Sequence, residues 1–387
     1  MTSATPAGGK RPPTNTILGL IAAIVFVIAA LTFIDSSLEK AERRDVEDQA
    51  QRAHIEGARL IKQGKASQGI ELLRKAHALD RANTLYELDL IDALITAAKT
   101  DEAEPLMNEI MLREPDDGRA NLSAARLMLE KGKTADAISY YHRAIYGEWP
   151  QNAPAQRVAA RLELAHLLVS SGRNKELLAE LLPLQEEAKP KQGGNATAIQ
   201  KELGHLFLMA GSPSRAAASY QTLIDHNPKD SDAYAGLGAS QLELGQYREA
   251  HAAFLVALRY KPEDPSIRRR LDLSSALTDL DPTPRRLASV EKYRRSLHIL
   301  QLAYDDRNKC VAKRPGVPPA ETAQLLSAAH DVLSRKLPPN ATNELSEGVL
   351  GIAEKIWQTR VKACGASVSP DEEPLRLIIE KLAQYNG

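Results

Sequence analysis

The sequence predicts an all-α protein, and three observations predict it. Alanine, leucine, glutamate, lysine and arginine dominate the composition, and all are strong helix formers. From Ala50 onward apolar residues recur at helical spacing, interrupted by Gly or Pro roughly every 15 to 20 residues. No alternating Val, Ile and Thr run bounded by turn residues is present, which argues against strands. The 387 residues leave room for about two or three domains. Basic and acidic residues balance at 50 each, so no global field favours nucleic acid or an acidic partner.

The first element is the uncharged run Ile17–Ile34. As a helix it would span roughly 27 Å, close to the thickness of a hydrocarbon core. A cleaved signal peptide would need a small-x-small site after the run, and "FIDSSLEK" supplies only Asp35-x-Ser37, so a retained anchor is favoured. Lys10 and Arg11 precede it while Lys40, Arg43, Arg44 and Arg52 follow, so basic residues alone do not orient it. The expected layout is a flexible tail (1–16), a transmembrane anchor (17–34), a linker helix (35–49), a helical-repeat region with a capping helix (50–280) and a helical bundle (286–387).

The repeat is clearest over Ser231–Asp264. Numbered from its first residue, large apolar residues fall at positions four (Tyr234), seven (Leu237) and 24 (Phe254). Small ones fall at eight (Gly238), 20 (Ala250) and 27 (Ala257), with Gly245 at 15 and Pro262 at 32. The preceding 34 residues, Thr197–Asp230, repeat the pattern with Leu203, Gly204, Phe207, Gly211, Ala216 and Tyr220. A second frame runs without gaps through Ala50–Asn83, Thr84–Asp117 and Gly118–Gln151. Val158–Lys191 is a degenerate unit, with Leu177 and Leu184 where small residues are usual. This pattern closely resembles the tetratricopeptide repeat. The resemblance implies an α-solenoid of about six helix pairs, each burying its excess apolar face on its neighbours and together forming a concave binding surface. Small residues at eight, 20 and 27 suit close helix crossings, and glycine at 15 suits a left-handed helix end. Ser212 and Pro213 read as an N-cap and first helical residue.

Beyond Asp264, Pro265–Leu280 reads as a helix capping the stack. Helices are then expected over Arg286–Cys310, Pro319–Leu337, Glu344–Cys364 and Pro370–Tyr385, the last opened by a capping box of Ser369 and Glu372. Cys310 and Cys364 end the first and third of these. In an up-down-up arrangement those ends coincide, so a disulfide is expected and reduced thiols are the alternative. A disulfide places the soluble part in an oxidising compartment, which for a bacterial inner-membrane anchor is the periplasm.

Motifs for catalysis are missing. There is no His-Glu-x-x-His, no Gly-x-Ser-x-Gly and no Gly-Lys-Ser/Thr loop, and the cysteines lack metal-ligand spacing. Gly236-Leu237-Gly238 resembles part of a phosphate loop, but Gln241 stands where the third glycine would be and no strand precedes it. Neither a catalytic residue, a cofactor nor a metal is therefore expected. What the resemblance implies is a peptide-binding groove lined from the first helix of each repeat. Carried onto this sequence, the lining residues are His54, Lys62, Asp92, Arg119, Arg126, His166, Lys201, His205, Asp232 and Glu243. His166 and His205 share position nine and lack an evident third ligand for a metal. The middle of the groove reads as basic and its last repeat as acidic, which suits an acidic segment or a free carboxylate. The asparagines of the family's chaperone-tail clamp are replaced here by His205 and Gly236. The basic cluster Arg268–Arg270, Arg285, Arg286, Lys292, Arg294 and Arg295 reads first as a solvated face and second as a contact for an acidic partner or lipid headgroups. The expected function is a membrane-anchored scaffold for protein partners in envelope assembly, secretion or complex maturation. The alternatives are a cytoplasm-facing regulatory adaptor and an enzyme whose site lies in the C-terminal helices.

Overall fold

The computed structural model describes the backbone of residues 14–150, 152–187, 195–312, 319–366 and 369–385. Among the described residues there are seventeen α-helices, and the β pairing is a single isolated bridge between Asp117 and Glu148. The protein is an all-α helical-repeat fold. Its chain forms two compact units, Met1–Leu167 and Leu168–Gly387.

The N-terminal unit holds α1 (Thr14–Lys62), α2 (Ala66–Leu79), α3 (Thr84–Thr96), α4 (Thr100–Arg113), α5 (Gly118–Glu130), α6 (Thr134–Tyr146) and most of α7 (Ala153–Ser170). The end of α1 pairs with α2, α3 with α4 and α5 with α6, so each 34-residue unit is a helix hairpin. Their core contains Ile70, Leu73, Ile91, Leu94, Met107, Ile110 and Leu127. The run expected as an anchor, 17–34, belongs to the backbone of α1, and of its side chains only those of Phe26 and Leu31–Phe33 are among the described ones. Phe26, Leu31 and Phe33 are exposed. Among the described residues no helix is long and apolar enough to cross a membrane. The tail 1–13, with Lys10 and Arg11, lies outside the described residues.

The C-terminal unit continues with α8 (Asn174–Glu187), α9 (Asn195–Met209), α10 (Pro213–His226), α11 (Ser231–Glu243), α12 (Tyr247–Tyr260) and α13 (Pro265–Leu280). Leu177, Leu181 and Leu184 of the degenerate repeat are all fully buried. The larger side chains there fill space that small residues leave to backbone elsewhere. Small residues at the crossing positions are equally buried: Ala76, Ala103, Ala125, Ala137, Ala165, Ala216, Ala250 and Ala257 are all 0% exposed.

Position 15 shows the repeat most plainly. Gly64, Gly132, Gly172, Gly211 and Gly245 stand there in five units, all with positive φ between 67° and 77°. In the remaining unit the position is Ala98, which adopts the same left-handed turn at φ 56°. A Cβ makes that conformation unfavourable, by about 1–2 kcal/mol. Glycine gives part of this back through its greater freedom in the unfolded chain. Ala98→Gly is therefore expected to stabilise the N-terminal unit by about 0.5–1 kcal/mol, read as a higher urea midpoint at unchanged m-value. A lower midpoint would show that the turn conformation does not limit stability.

Helix starts differ from the expectation. Ser212 occupies the cap of α10 with Pro213 next, but its side chain makes no capping hydrogen bond. The side-chain caps seen in the repeat region are aspartates at the last position of a repeat. Asp117 accepts from Ala120 N–H at 2.6 Å, Asp230 from Asp232 and Ala233 N–H at 3.0 Å, and Asp264 from Ser266 N–H at 2.9 Å. Each closes one repeat while satisfying the orphan donors of the next first helix.

The remaining helices are α14 (Ser289–Ala312), α15 (Ala320–Ser334), α16 (Asn343–Cys364) and α17 (Glu373–Tyr385). α17 begins after the expected Pro370 because Ser369 to Glu372 form its cap, with Ser369 N–H donating to the Glu372 carboxylate at 2.9 Å. Leu277, Ile299, Leu300, Ala353, Ile356 and Ile378 share one core with Tyr247 of α12. Lys381 of α17 reinforces this join. Its ammonium donates to Asp281 (2.8 Å) and to the Gly245 carbonyl (3.0 Å), and lies 4.5 Å from the centre of the Tyr247 ring. The basic cluster is broken up by such roles. Arg295 donates to the Thr278 and Asp281 carbonyls at 2.6 and 2.8 Å, closing the end of α13, and Arg268 donates to the Pro262 carbonyl at 2.9 Å.

Candidate functional site

In the N-terminal unit the first helices of successive repeats line a cleft of about 1080 Å³. Leu85, Leu88, Leu122 and Trp149 supply its apolar surface, and Asp92, Arg119 and Arg126 its charged floor. Arg119 hydrogen-bonds Asp89 and lies 3.6 Å from Asp92. Arg126 grips Glu163 with two bonds, Nε to Oε2 at 3.0 Å and Nη2 to Oε1 at 2.6 Å, and lies 4.0 Å from Asp92. Asp92 accepts from the Ser123 hydroxyl at 2.6 Å, and Tyr141 donates its hydroxyl to Glu163 at 3.2 Å. His54 closes the far end of this ladder on Asp89 at 2.5 Å, its ring tilted 32° against Tyr86 at 4.6 Å between centroids.

The ladder sets the protonation states. Loss of water raises the Asp92 pKa, against the pull of the Ser123 hydroxyl and of both guanidinium groups. The Glu163 hydrogen bond raises that of Arg126. Tyr141 is pushed up by burial and by the Glu163 charge.

Arg119 and Arg126, expected to line the basic middle of the groove, are thus engaged by carboxylates. The residues missed were Asp89, Ser123 and Glu163, each at position six of its repeat. The signal was available: Asp89 and Ser123 are one 34-residue period apart, and position six precedes position nine by three residues, which is one helical face. Trp149 was also missed. Its indole donates to the Ala144 carbonyl at 2.9 Å and lies where a side chain on Gly118 would stand, 2.4 Å from the ideal Cβ position. His166 is exposed on α7 and does not line this cleft, and Lys62 is exposed at the end of α1.

The C-terminal unit has its own cleft, of about 960 Å³. His205, Glu243, Arg269 and Arg270 line it, with Pro370 and Asp371 ahead of α17 forming part of the wall. Lys201 and Asp232 meet beside it, and Lys261 reaches the same carboxylate. These two lysines hold the Asp232 pKa below the usual aspartate range. Gly236 has a packing role. The ideal Cβ position at Gly236 falls 2.3 Å from the Tyr220 ring and that at Gly204 falls 2.7 Å from it, so both glycines seat one tyrosine in the cleft floor. Burial pushes the phenol of Tyr220 up to about 12. Gly238 does the same for Phe254, with 2.8 Å from its ideal Cβ position.

A stack of helix hairpins with concave clefts defines a repeat scaffold. The tetratricopeptide-repeat family model matches residues 60–127 and 207–271, and these stretches are tetratricopeptide repeats. The chain is 24% identical over 222 residues to the putative cellulose synthase operon protein C of Escherichia coli O157:H7, covering 56% of this chain and 19% of that protein. It is 28% identical over 151 residues to superkiller complex protein 3 of Homo sapiens, covering 37% of this chain and 10% of that one. The chain therefore spans about a fifth or less of the length of these relatives. Among solved structures it is similar to PilW, described as a type IV pilus biogenesis factor (TM-score 0.42, 15% identity, 57% of this chain and 96% of that one). It is also similar to YrrB, described as a TPR protein with an unusual peptide-binding site (TM-score 0.40, 14% identity, 51% and 95%).

Proposed function

We propose that this chain is a non-enzymatic scaffold that holds a segment of a protein partner in the concave cleft of its N-terminal unit. The observation that carries the reading is the cleft itself, with Leu85 47% exposed beside an ion ladder already satisfied. Exposed apolar surface rimmed by polar groups marks an interaction site, and a floor braced across repeats limits the entropy lost on binding. The scaffold is tethered to a membrane through residues 17–34, whose uncharged run and exposed Phe26, Leu31 and Phe33 support that role. Its soluble part faces an oxidising compartment, a placement supported by the Cys310–Cys364 pair. The proposed setting is assembly, secretion or complex maturation at a bacterial envelope, and the similarity to cellulose synthase operon protein C supports it.

Site-specific photo-crosslinking in the full chain tests the reading. A photoreactive residue at Leu85 should give a discrete adduct in intact cells, and one at Asn108 on α4, which does not line the cleft, should not. Equal adducts at both positions would overturn it. Deletion of 17–34 should move the chain out of the membrane pellet.

A further inference from the structure

The charges around the N-terminal cleft point to a partner of the opposite sign from the one its arginines imply. Arg119 and Arg126 are engaged within the chain by Asp89, Asp92 and Glu163. The rim carries Glu114, Asp116 and Glu148, all exposed. Among the described residues no basic side chain lies within 4 Å of any of the three. The Glu114 carboxylate accepts the Thr84 hydroxyl, at 2.8 Å, which leaves its charge in place.

This rim is built in advance. Gly118 N–H donates to the Glu148 carbonyl at 2.7 Å and Glu148 N–H donates to the Asp116 carbonyl at 2.8 Å, so the two rim loops are fastened to each other. Trp149 is fixed between them by its Ala144 bond and its contact with Gly118. The cleft therefore offers an exposed aliphatic contact at Leu85, a rigid indole, and three carboxylates outside any ion pair at one mouth.

We infer that the cleft selects a short partner segment in which aliphatic side chains stand next to a lysine or arginine. The aliphatic groups cover Leu85 and the cation meets the carboxylates of Glu148, Asp116 and Glu114 across the Trp149 ring. Charge complementarity of this kind governs partner choice and association rate, and an indole adds a face for the cation. The inference rests on the proposed function and names the partner's chemistry.

Selection from a phage-displayed library of random peptides on the full chain in detergent tests it. Enriched peptides are expected to pair Lys or Arg with Leu, Ile or Val. As synthetic peptides they should bind at least tenfold more weakly to Asp116→Lys/Glu148→Lys, and more weakly at high salt. Enrichment of acidic peptides that lose binding in Arg126→Glu and keep it in Asp116→Lys/Glu148→Lys would overturn the charge assignment and leave the scaffold reading standing. Peptides whose binding is indifferent to Leu85→Asp, or no enrichment at all, would overturn both. Leu85 is half exposed, so that variant keeps its fold.

Discussion

Arg360→Met is expected to destabilise the C-terminal unit by about 3–5 kcal/mol, the largest effect of any single exchange considered. Arg360 and Asp306 are 4% and 5% exposed. The guanidinium Nε donates to Asp306 at 2.8 Å, Nη1 donates to the Gly365 carbonyl at 2.5 Å, and Nη2 lies 3.6 Å from Glu372. Its centre sits 5.2 Å from the Trp357 ring. One side chain thus ties α14, the end of α16 and the cap of α17. Methionine would fill much of the volume and leave the Asp306 carboxylate buried without a counter-charge. Asp306→Leu/Arg360→Met is expected to recover most of the loss, because the penalty belongs to the orphaned charge and not to the missing pair.

The loss also carries a pH signature. Burial raises the Asp306 pKa, and a hydrogen bond shared with Glu372 raises it further. A carboxyl with a raised folded-state pKa favours the fold below its unfolded pKa, and this is lost as pH rises through the folded value. Glu372 is lowered, chiefly by the Ser369 N–H, so its contribution is present above its unfolded pKa and lost as pH falls. In the wild type the two slopes oppose each other. Without Arg360 the Asp306 slope dominates, so the variant should recover stability between neutral pH and about pH 5, since a protonated Asp306 needs no counter-charge. Urea midpoints at the two pH values measure this. A deficit that is the same at both would place the cost in packing instead.

The architecture was legible because a repeat states the same physical demand several times. Left-handed turns at position 15 need glycine, and five of six units have it. Crossings at eight, 20 and 27 need small residues, and the alanines found there have no exposed surface. The degenerate repeat was harder to read because Leu177 and Leu184 solve the same packing problem with different volumes. Much less of the site was legible. Its lining was assigned from the first-helix positions of the family, and those positions do place Asp92, Arg119 and Arg126 together. Whether a groove cation is free depends on what faces it across the neighbouring repeat. Asp89 lies 30 residues from Arg119 and Glu163 lies 37 from Arg126. The second spacing differs from a repeat period because of the insertion before α7, and a fixed register cannot find it. Trp149 stands at position 32 of its repeat, just before that insertion, and only the paired loops bring it to the cleft.

Cys310→Ser/Cys364→Ser is expected to lower stability by about 4 kcal/mol, the chain-entropy value for a loop of this length. The pair joins the C-terminal ends of α14 and α16, with Cα atoms 6.4 Å apart and a sequence separation of 54. Trp357 reports on this unit, and a Trp149→Phe background removes the other tryptophan. Helix content should stay constant, and reductant should shift the wild type to the same midpoint. Equal midpoints with and without reductant, or two alkylated thiols in the denatured unreduced chain, would sink the assignment. The location adds a sharper test. Asp306 and Arg360 each lie one helical turn before a cysteine, so the ion pair and the disulfide are successive rungs between the same two helices. Rungs this close do not act independently. While the disulfide holds the helix ends together, an orphaned Asp306 has no route to water. Without it, the ends can splay and hydrate the carboxylate. Arg360→Met is therefore expected to be less damaging in the Cys310→Ser/Cys364→Ser background than in the oxidised chain, and purely additive losses would show that the two rungs are mechanically separate.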